Sequence, residues 1–314
     1  MKIKIAYIIT AYVDAPQMRR LIESLVLDEQ QGIADFYIHI DRKVDIAPFK
    51  TAMKDCKANV YWCKKRYRIN WGGFNQVWSQ YELMRMIFEE TRYEYNRVVC
   101  LSATDYPLWP NSRIVSFFQE NNDVEYIGGY NLTKSDDKAQ IRKIRDYHFF
   151  RDLALPLKIK RVICGGSRYI FRYVPLHKPK ACLSSQGRTY DVYTGSDYWA
   201  LTYECAKYVF EIMKTDKRLM KYFQTSYIPS EAVVNTIVLN SKFKCDSSFC
   251  SEQPLYPGLE KLTPLHHLEY TGAIKVYKKV DWDELMESDK MFFRKARTAM
   301  SDSLIKKLES EIRL

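Results

Sequence analysis

The sequence predicts an α/β protein organised around a doubly wound, mostly parallel sheet. Short apolar runs of strand length alternate with stretches of helical spacing through the first 120 residues. The runs are apolar at consecutive positions, as in strands covered on both faces; a half-exposed strand would alternate with polar residues. Each run stops at small or polar residues, the common boundary of a strand.

Residues 3–10 form the first apolar run, closed by Ala11 and Tyr12. Residues 16–27 carry Met18, Leu21, Ile22 and Leu25 at helical spacing. Strands are expected at 36–40, ending on Asp41, and at 60–62, leading into Asn70-Trp71-Gly72-Gly73. A helix over 77–88 precedes a fourth strand at 97–101, which runs out into Ser102-Ala103-Thr104-Asp105-Tyr106-Pro107. Beyond Asn121 the pattern turns irregular and basic. Order returns as a strand at 198–201 and helices at 203–213 and 230–239. With no repeat or flexible linker, residues 1–314 read as one domain, with a nucleotide-binding half over 1–120 and an acceptor-binding, catalytic half over 121–314. In open α/β sheets ligands gather at the carboxyl ends of the strands. No glycine-rich fingerprint follows the first strand, which argues against a dinucleotide fold.

Composition narrows the classes. A chain of 314 residues, 46% hydrophobic and 28% charged, is an ordinary globular protein, and no apolar run is long enough to span a bilayer. The N-terminus reads as a strand and not a signal peptide, so a cytoplasmic location is expected, with peripheral contact at the inner face of the membrane. The eight cysteines then read as thiols. Cys245 and Cys250 with His266 and His267 match no common zinc spacing. The net charge of +11 is concentrated over residues 141–188, where twelve Lys and Arg face two Asp and are interleaved with six Tyr and Phe. Such a segment can grip nucleic acid, anionic lipid or a phosphorylated acceptor, or be a solvated face.

Several constellations can carry chemistry. Asp41 at a strand end can accept the imide N–H of a uracil or a ribose hydroxyl, or serve a turn. Trp71-Gly72-Gly73 sets a flat ring beside close backbone approach: a wall for a nucleotide or sugar, or a turn with a core Trp. Glu231, after Pro229-Ser230, opens the helix expected over 230–239, where it can cap the helix or act as a general base toward an attacking hydroxyl. Asp197, in Gly195-Ser196-Asp197-Tyr198-Trp199, can take the same part or hold acceptor hydroxyls. Two carboxylates at one site would push each other's pKa apart. Asp281-Trp282-Asp283 has the spacing of a metal-holding pair but stands at a helix start and reads as capping, so no metal is expected. Arg294-Lys295, behind Phe292-Phe293, would then supply the counter-charge to a diphosphate, a bidentate fork beside a point charge. Asp105, Arg145, Tyr147 and Trp199 are candidate acceptor contacts.

The ordered set of motifs resembles the core-2/I-branching β-1,6-N-acetylglucosaminyltransferase and peptide O-xylosyltransferase family. The resemblance rests on Ile5-Ala6-Tyr7-Ile8-Ile9, His39-Ile40-Asp41, Trp71-Gly72-Gly73 with Val77, and residues 101–108. It continues through residues 195–201, Pro229-Ser230-Glu231 with Thr236, Asn240 and Ser241, and Ser288 with residues 292–295. It implies a variant GT-A-like fold, an inverting mechanism, a UDP-sugar donor and no metal or other cofactor. By resemblance the branching enzymes use the Glu matching Glu231 as base, and the xylosyltransferases a carboxylate matching Asp197. A basic pair matching Arg294 and Lys295 takes the diphosphate. Thr10, Ala11, Tyr12, Asp41, Trp71 and Gly72 would hold the nucleotide. Where family members often carry an Arg, this chain has His266, which would face the leaving group with less fixed charge. The expected reaction moves GlcNAc or xylose to a glycan or lipid-linked glycan in surface polysaccharide synthesis, as in a bacterial-type member. The competing expectations are a metal-dependent GT-A enzyme using Asp105 and a non-catalytic protein that binds polyanions; nucleic acid is not expected as a partner.

Overall fold

Four parallel strands make the centre of the molecule: β1 (Ile3–Ala11), β2 (Gly32–Ile40), β3 (Asn59–Trp62) and β4 (Arg97–Ser102), with β1 between β2 and β4. The computed structural model describes residues 2–91, 93–173 and 177–313, without the side chains of Leu157, Arg168 and residues 171–173. The arginines and aromatics of the basic segment at 168 and 171–173 therefore lie outside the described side chains. The remaining strands are β5 (Asp105–Pro107), β6 (Glu125–Asn131), β7 (Cys182–Leu183), β8 (Thr189–Tyr190), β9 (Tyr193–Gly195), β10 (Ala200–Thr202), β11 (Ser247–Ser251), β12 (His266–Leu268) and β13 (Phe292–Arg294). The helices are α1 (Ala15–Ser24), α2 (Ala47–Ala52), α3 (Asn75–Arg85), α4 (Asn111–Glu120), α5 (Lys138–Arg145), α6 (Leu157–Tyr173), α7 (Tyr203–Thr215), α8 (Lys217–Gln224), α9 (Val233–Leu239), α10 (Trp282–Met286) and α11 (Asp302–Glu311).

The central sheet has the order β11-β6-β10-β4-β1-β2-β3, with β9 added on β6. All neighbours along that order pair in parallel except β10, which runs against both β4 and β6. The mostly parallel sheet expected from the apolar runs is present. It draws strands from both sides of residue 120. Successive β1 residues feed opposite cores: Ile5, Tyr7 and Ile9 pack with α1, α4 and α11, while Ala6 and Ile8 pack with α3, α7 and α9. That is why the run is apolar at every position.

The structure departs from expectation in the basic stretch. Residues 125–131 form a central strand whose signal is broken by Gly128 and Gly129. A Cβ on Gly128 would stand 2.7 Å from the Leu262 carbonyl oxygen, and one on Gly129 2.0 Å from Leu239 Cδ1, so packing demands glycine where propensity disfavours it. The helix expected over 230–239 is split, with a 3-10 turn over Pro229–Glu231 preceding α9.

A second, small sheet positions the C-terminal part. In it β13 lies between β12 and β5, and the antiparallel register sets Arg294 directly across from Asp105.

Candidate active site

A cavity of about 440 Å³ opens at the carboxyl ends of the parallel strands. Thr10, Ala11 and Tyr12 from the end of β1, and Asp41 just beyond β2, form one side; Trp71 closes another. Because β10 is antiparallel, its beginning lies at the same edge as the ends of β4 and β6. Asp197 and Tyr198, just before β10, thus join residues that follow strands.

Two carboxylates share the cavity. Asp197 sits two residues past Gly195, where a Cβ would lie 2.0 Å from the Gly128 carbonyl oxygen; only glycine lets this loop run so close to β6. Gln76 donates Nε2–H to Asp197 Oδ2 at 2.7 Å, while the buried Oδ1 has no partner among the described residues. Burial pushes the Asp197 carboxyl up to about 6, against the pull of Ser230, Arg294 and Gln76. Glu231 ends its 3-10 turn, after Ile228 in the left-handed region at φ 52°. Its carboxyl is pushed up to about 8, first by burial and then by the charge of Asp197, with Lys143 opposing. Helix α9 begins without a side-chain cap, so the capping role open to Glu231 in the sequence is not taken. Among the described residues its side chain has no hydrogen bond or ion pair.

Two cations face them. Arg294, at the end of β13, donates from Nη1 to Asp105 Oδ1 at 2.8 Å and to Thr104 Oγ1 at 2.9 Å, with its guanidinium 4.9 Å from the Tyr198 ring centre. Lys295 follows, its backbone N–H donating to the Lys275 carbonyl at 3.0 Å. Burial, with repulsion from Arg294 and Arg297, lowers the pKa of its ammonium.

Asp105 is not an acceptor contact, contrary to expectation. It is fully buried and accepts the Ser102 N–H at 2.7 Å through the oxygen that lies 3.3 Å from His266 Nε2. Burial alone would raise its pKa, but Arg294, His266 and the Ser102 amide more than offset that and hold it below the ordinary range. His266 likewise does not face the donor; it is buried behind Asp105, with ring centres 4.8 Å from Tyr198 and 5.0 Å from Phe292. Trp199 points into the core with α7 and α9 instead of toward an acceptor, because the residue before an inner strand faces one of its two buried sides. Arg145 donates Nε–H to the Lys178 carbonyl at 2.9 Å, and Tyr147 lines a separate groove beside Lys178, so neither reaches the cavity. Gly72 stands outside the cavity wall; at φ 75° it turns the chain against Tyr227 and leaves Trp71 68% exposed. Asp41 lines the cavity and also serves the turn, its Oδ1 accepting the N–H groups of Lys43 and Ile69 at 2.8 and 3.3 Å. Asp281 accepts the Lys278 N–H in a short cap, away from the site.

The sequence reading missed Gln76, Gln80 and Tyr198, which all line the cavity. The two glutamines lie four apart on α3 and so share one face, a spacing that was open to notice. Among the described residues no three His, Cys, Asp or Glu groups gather as a metal set.

A family model described as Core-2/I-Branching enzyme matches residues 5–292. Human xylosyltransferase 2 is 24% identical over 245 residues, covering 76% of this chain and 25% of the relative. Xylosyltransferase oxt of Drosophila melanogaster is 23% identical over 325 residues, covering 98% of this chain and 33% of the relative. The chain therefore spans a quarter to a third of the length of these relatives. Among solved structures, apo mouse xyloside xylosyltransferase 1 is similar with a TM-score of 0.35 at 12% identity, over 78% of this chain and 84% of that one, a likeness too distant to carry a site argument.

Proposed function

Because the chain belongs to the Core-2/I-branching enzyme family, we propose that it is an inverting glycosyltransferase that moves a sugar, xylose or GlcNAc, from a UDP-sugar to an acceptor hydroxyl without a metal ion. The observation that supports this reading is one cavity at the strand ends holding two carboxylates of raised pKa together with Arg294 and Lys295. The uracil and ribose lie along Thr10, Ala11, Tyr12 and Asp41, and the sugar is flanked by Trp71. Glu231 takes the proton from the acceptor hydroxyl as its oxygen attacks the anomeric carbon from the face opposite the diphosphate. The bond from that carbon to the β-phosphate oxygen breaks, and the electron pair leaves with UDP. Arg294 and Lys295 meet the charge that develops there, a contribution of roughly 2.7–4 kcal/mol for a well-placed donor. Asp197, held by Gln76, orients the acceptor. Its acceptor is a glycan, free or lipid-linked, and the reaction is placed on the cytoplasmic side of a membrane.

The ion pair of Asp105 with Arg294 at 2.8 Å speaks for this reading over a rival in which Asp105 is a metal ligand. A panel of UDP-sugars tested for thermal stabilisation and donor hydrolysis checks the reading, since a bound donor raises stability by mass action. The expected result is stabilisation and slow hydrolysis with one or two UDP-sugars. Salt-sensitive polyanion binding with no UDP-sugar turned over would overturn it.

A further inference from the structure

Helix α6 is turned the wrong way for a helix that only packs on its own protein. Its small residues Cys164 and Ser167 face inward and are buried, whereas Ile159, Val162 and Ile170 lie exposed, Val162 to 74%. At 100° per residue those three positions fall on one stripe about 80° wide. Phe150 and Leu153, also exposed, lead into the helix and extend the apolar surface. Lys158 and Arg161 are exposed along one flank of the stripe, and no acidic residue occurs between positions 157 and 173. Among the described residues, nothing lies within 4 Å of where a Cβ on Gly165 or Gly166 would stand, so that side of the helix is open at both positions.

We propose that α6 is an interfacial helix that lays this stripe into the surface of an anionic lipid bilayer. An apolar face bordered by cations and free of carboxylates matches the boundary between headgroups and acyl chains. A soluble partner would need acidic groups around its own apolar patch. A second copy of this chain would set the same cations against each other. The helix is tied to the cavity: Asp152, at its approach, accepts the N–H groups of Phe74 and Asn75 at 2.7 and 3.1 Å, at the start of α3, whose Gln76 lines the cavity. Docking would therefore hold the cavity mouth at a fixed height over the lipid. The proposal does not depend on the sugar or on the reaction.

Co-sedimentation of the whole protein with phosphatidylcholine vesicles, with and without phosphatidylglycerol, tests it. Binding is expected only with phosphatidylglycerol and weakens as salt rises. The double variant Val162→Ser, Ile170→Ser should lower partitioning by roughly tenfold or more while UDP-sugar hydrolysis and the thermal melt stay as in wild type. The double variant Lys158→Glu, Arg161→Glu gives a second reading through charge alone and should also abolish binding. No sedimentation with phosphatidylglycerol vesicles at low salt, or sedimentation that ignores both variants, would overturn the proposal. So would a lipid-free dimer, seen by light scattering, that Val162→Ser, Ile170→Ser converts to monomer.

Discussion

Glu231 and Asp197 stand in one cavity but in different company. Asp197 is gripped by Gln76, whereas Glu231 lines the cavity with no such donor among the described residues. Glu231→Gln keeps size and hydrogen bonding but cannot accept a proton, so kcat should fall about 10²–10⁴-fold with UDP affinity little changed. Asp197→Asn should cost less in kcat and more in acceptor KM. If Asp197→Asn abolishes turnover while Glu231→Gln does not, the roles are reversed. Both carboxyls titrate above their usual range, so kcat/KM should climb as pH rises through that shared region. Glu231→Gln should remove the climb. Arg294→Ala and Lys295→Ala should weaken UDP binding together with turnover, which a calorimetric UDP titration separates from a pure rate effect. Asp105 touches none of the reacting groups. Asp105→Asn should nonetheless weaken UDP binding, because Arg294 loses the anion that aims it, and unfolding in urea should show a loss of about 3–5 kcal/mol, the usual result of orphaning a buried charge.

At the scale of elements, what could be read in the sequence was whatever depended on periodicity. The runs that became β1, β2 and β4 were plain because both their faces are apolar, and the residues closing them, Thr10 to Tyr12 and Asp41, followed directly. Roles set by tertiary pairing were hidden. Nothing local distinguishes Asp105 at a strand end facing a ligand from Asp105 facing Arg294 across an antiparallel register 189 residues away. Trp199 looks like a site residue because it follows Asp197 and Tyr198, but adjacent residues near a strand face opposite ways: Tyr198 takes the cavity side and Trp199 the core. Arg145 and Tyr147 sat in a basic stretch whose composition carries no direction. Gly195 was legible only as a turn, and its close approach to β6 appears in three dimensions. Gly195→Ala should lower unfolding stability by about 1–3 kcal/mol or more through that clash. It should also reduce turnover, since Asp197 is carried on the displaced loop. A denaturation curve with donor hydrolysis at saturating UDP-sugar measures both.

For the whole molecule, the carboxylates make opposite demands on pH. Asp105, with its pKa held low, contributes stability present above the usual Asp range and lost as pH falls. Glu231, raised from 4.5 to about 8, contributes stability that is full below 4.5 and lost as pH rises through about 8. Glu231→Gln should therefore raise Tm at pH 9 by on the order of 5 °C over wild type and change little at pH 4, as differential scanning fluorimetry would record. Metal dependence is checked by turnover in EDTA; activity that survives fits charge neutralisation by Arg294 and Lys295, and loss reversed by Mn²⁺ would rule it out. The pairing of Asp105 with Arg294 also has a meaning in time. A ribosome delivers residue 105 long before residue 294, so a growing chain holds that carboxylate without its cation until the last strand of the small sheet emerges. Synthesis thus makes Thr10 to Asp41 first, then Asp197 and Glu231, and only afterwards Arg294 and Lys295. A chain stalled before β13 would carry both cavity carboxylates but neither Arg294 nor Lys295, so the charge balance of the cavity is set only after β13 has been made.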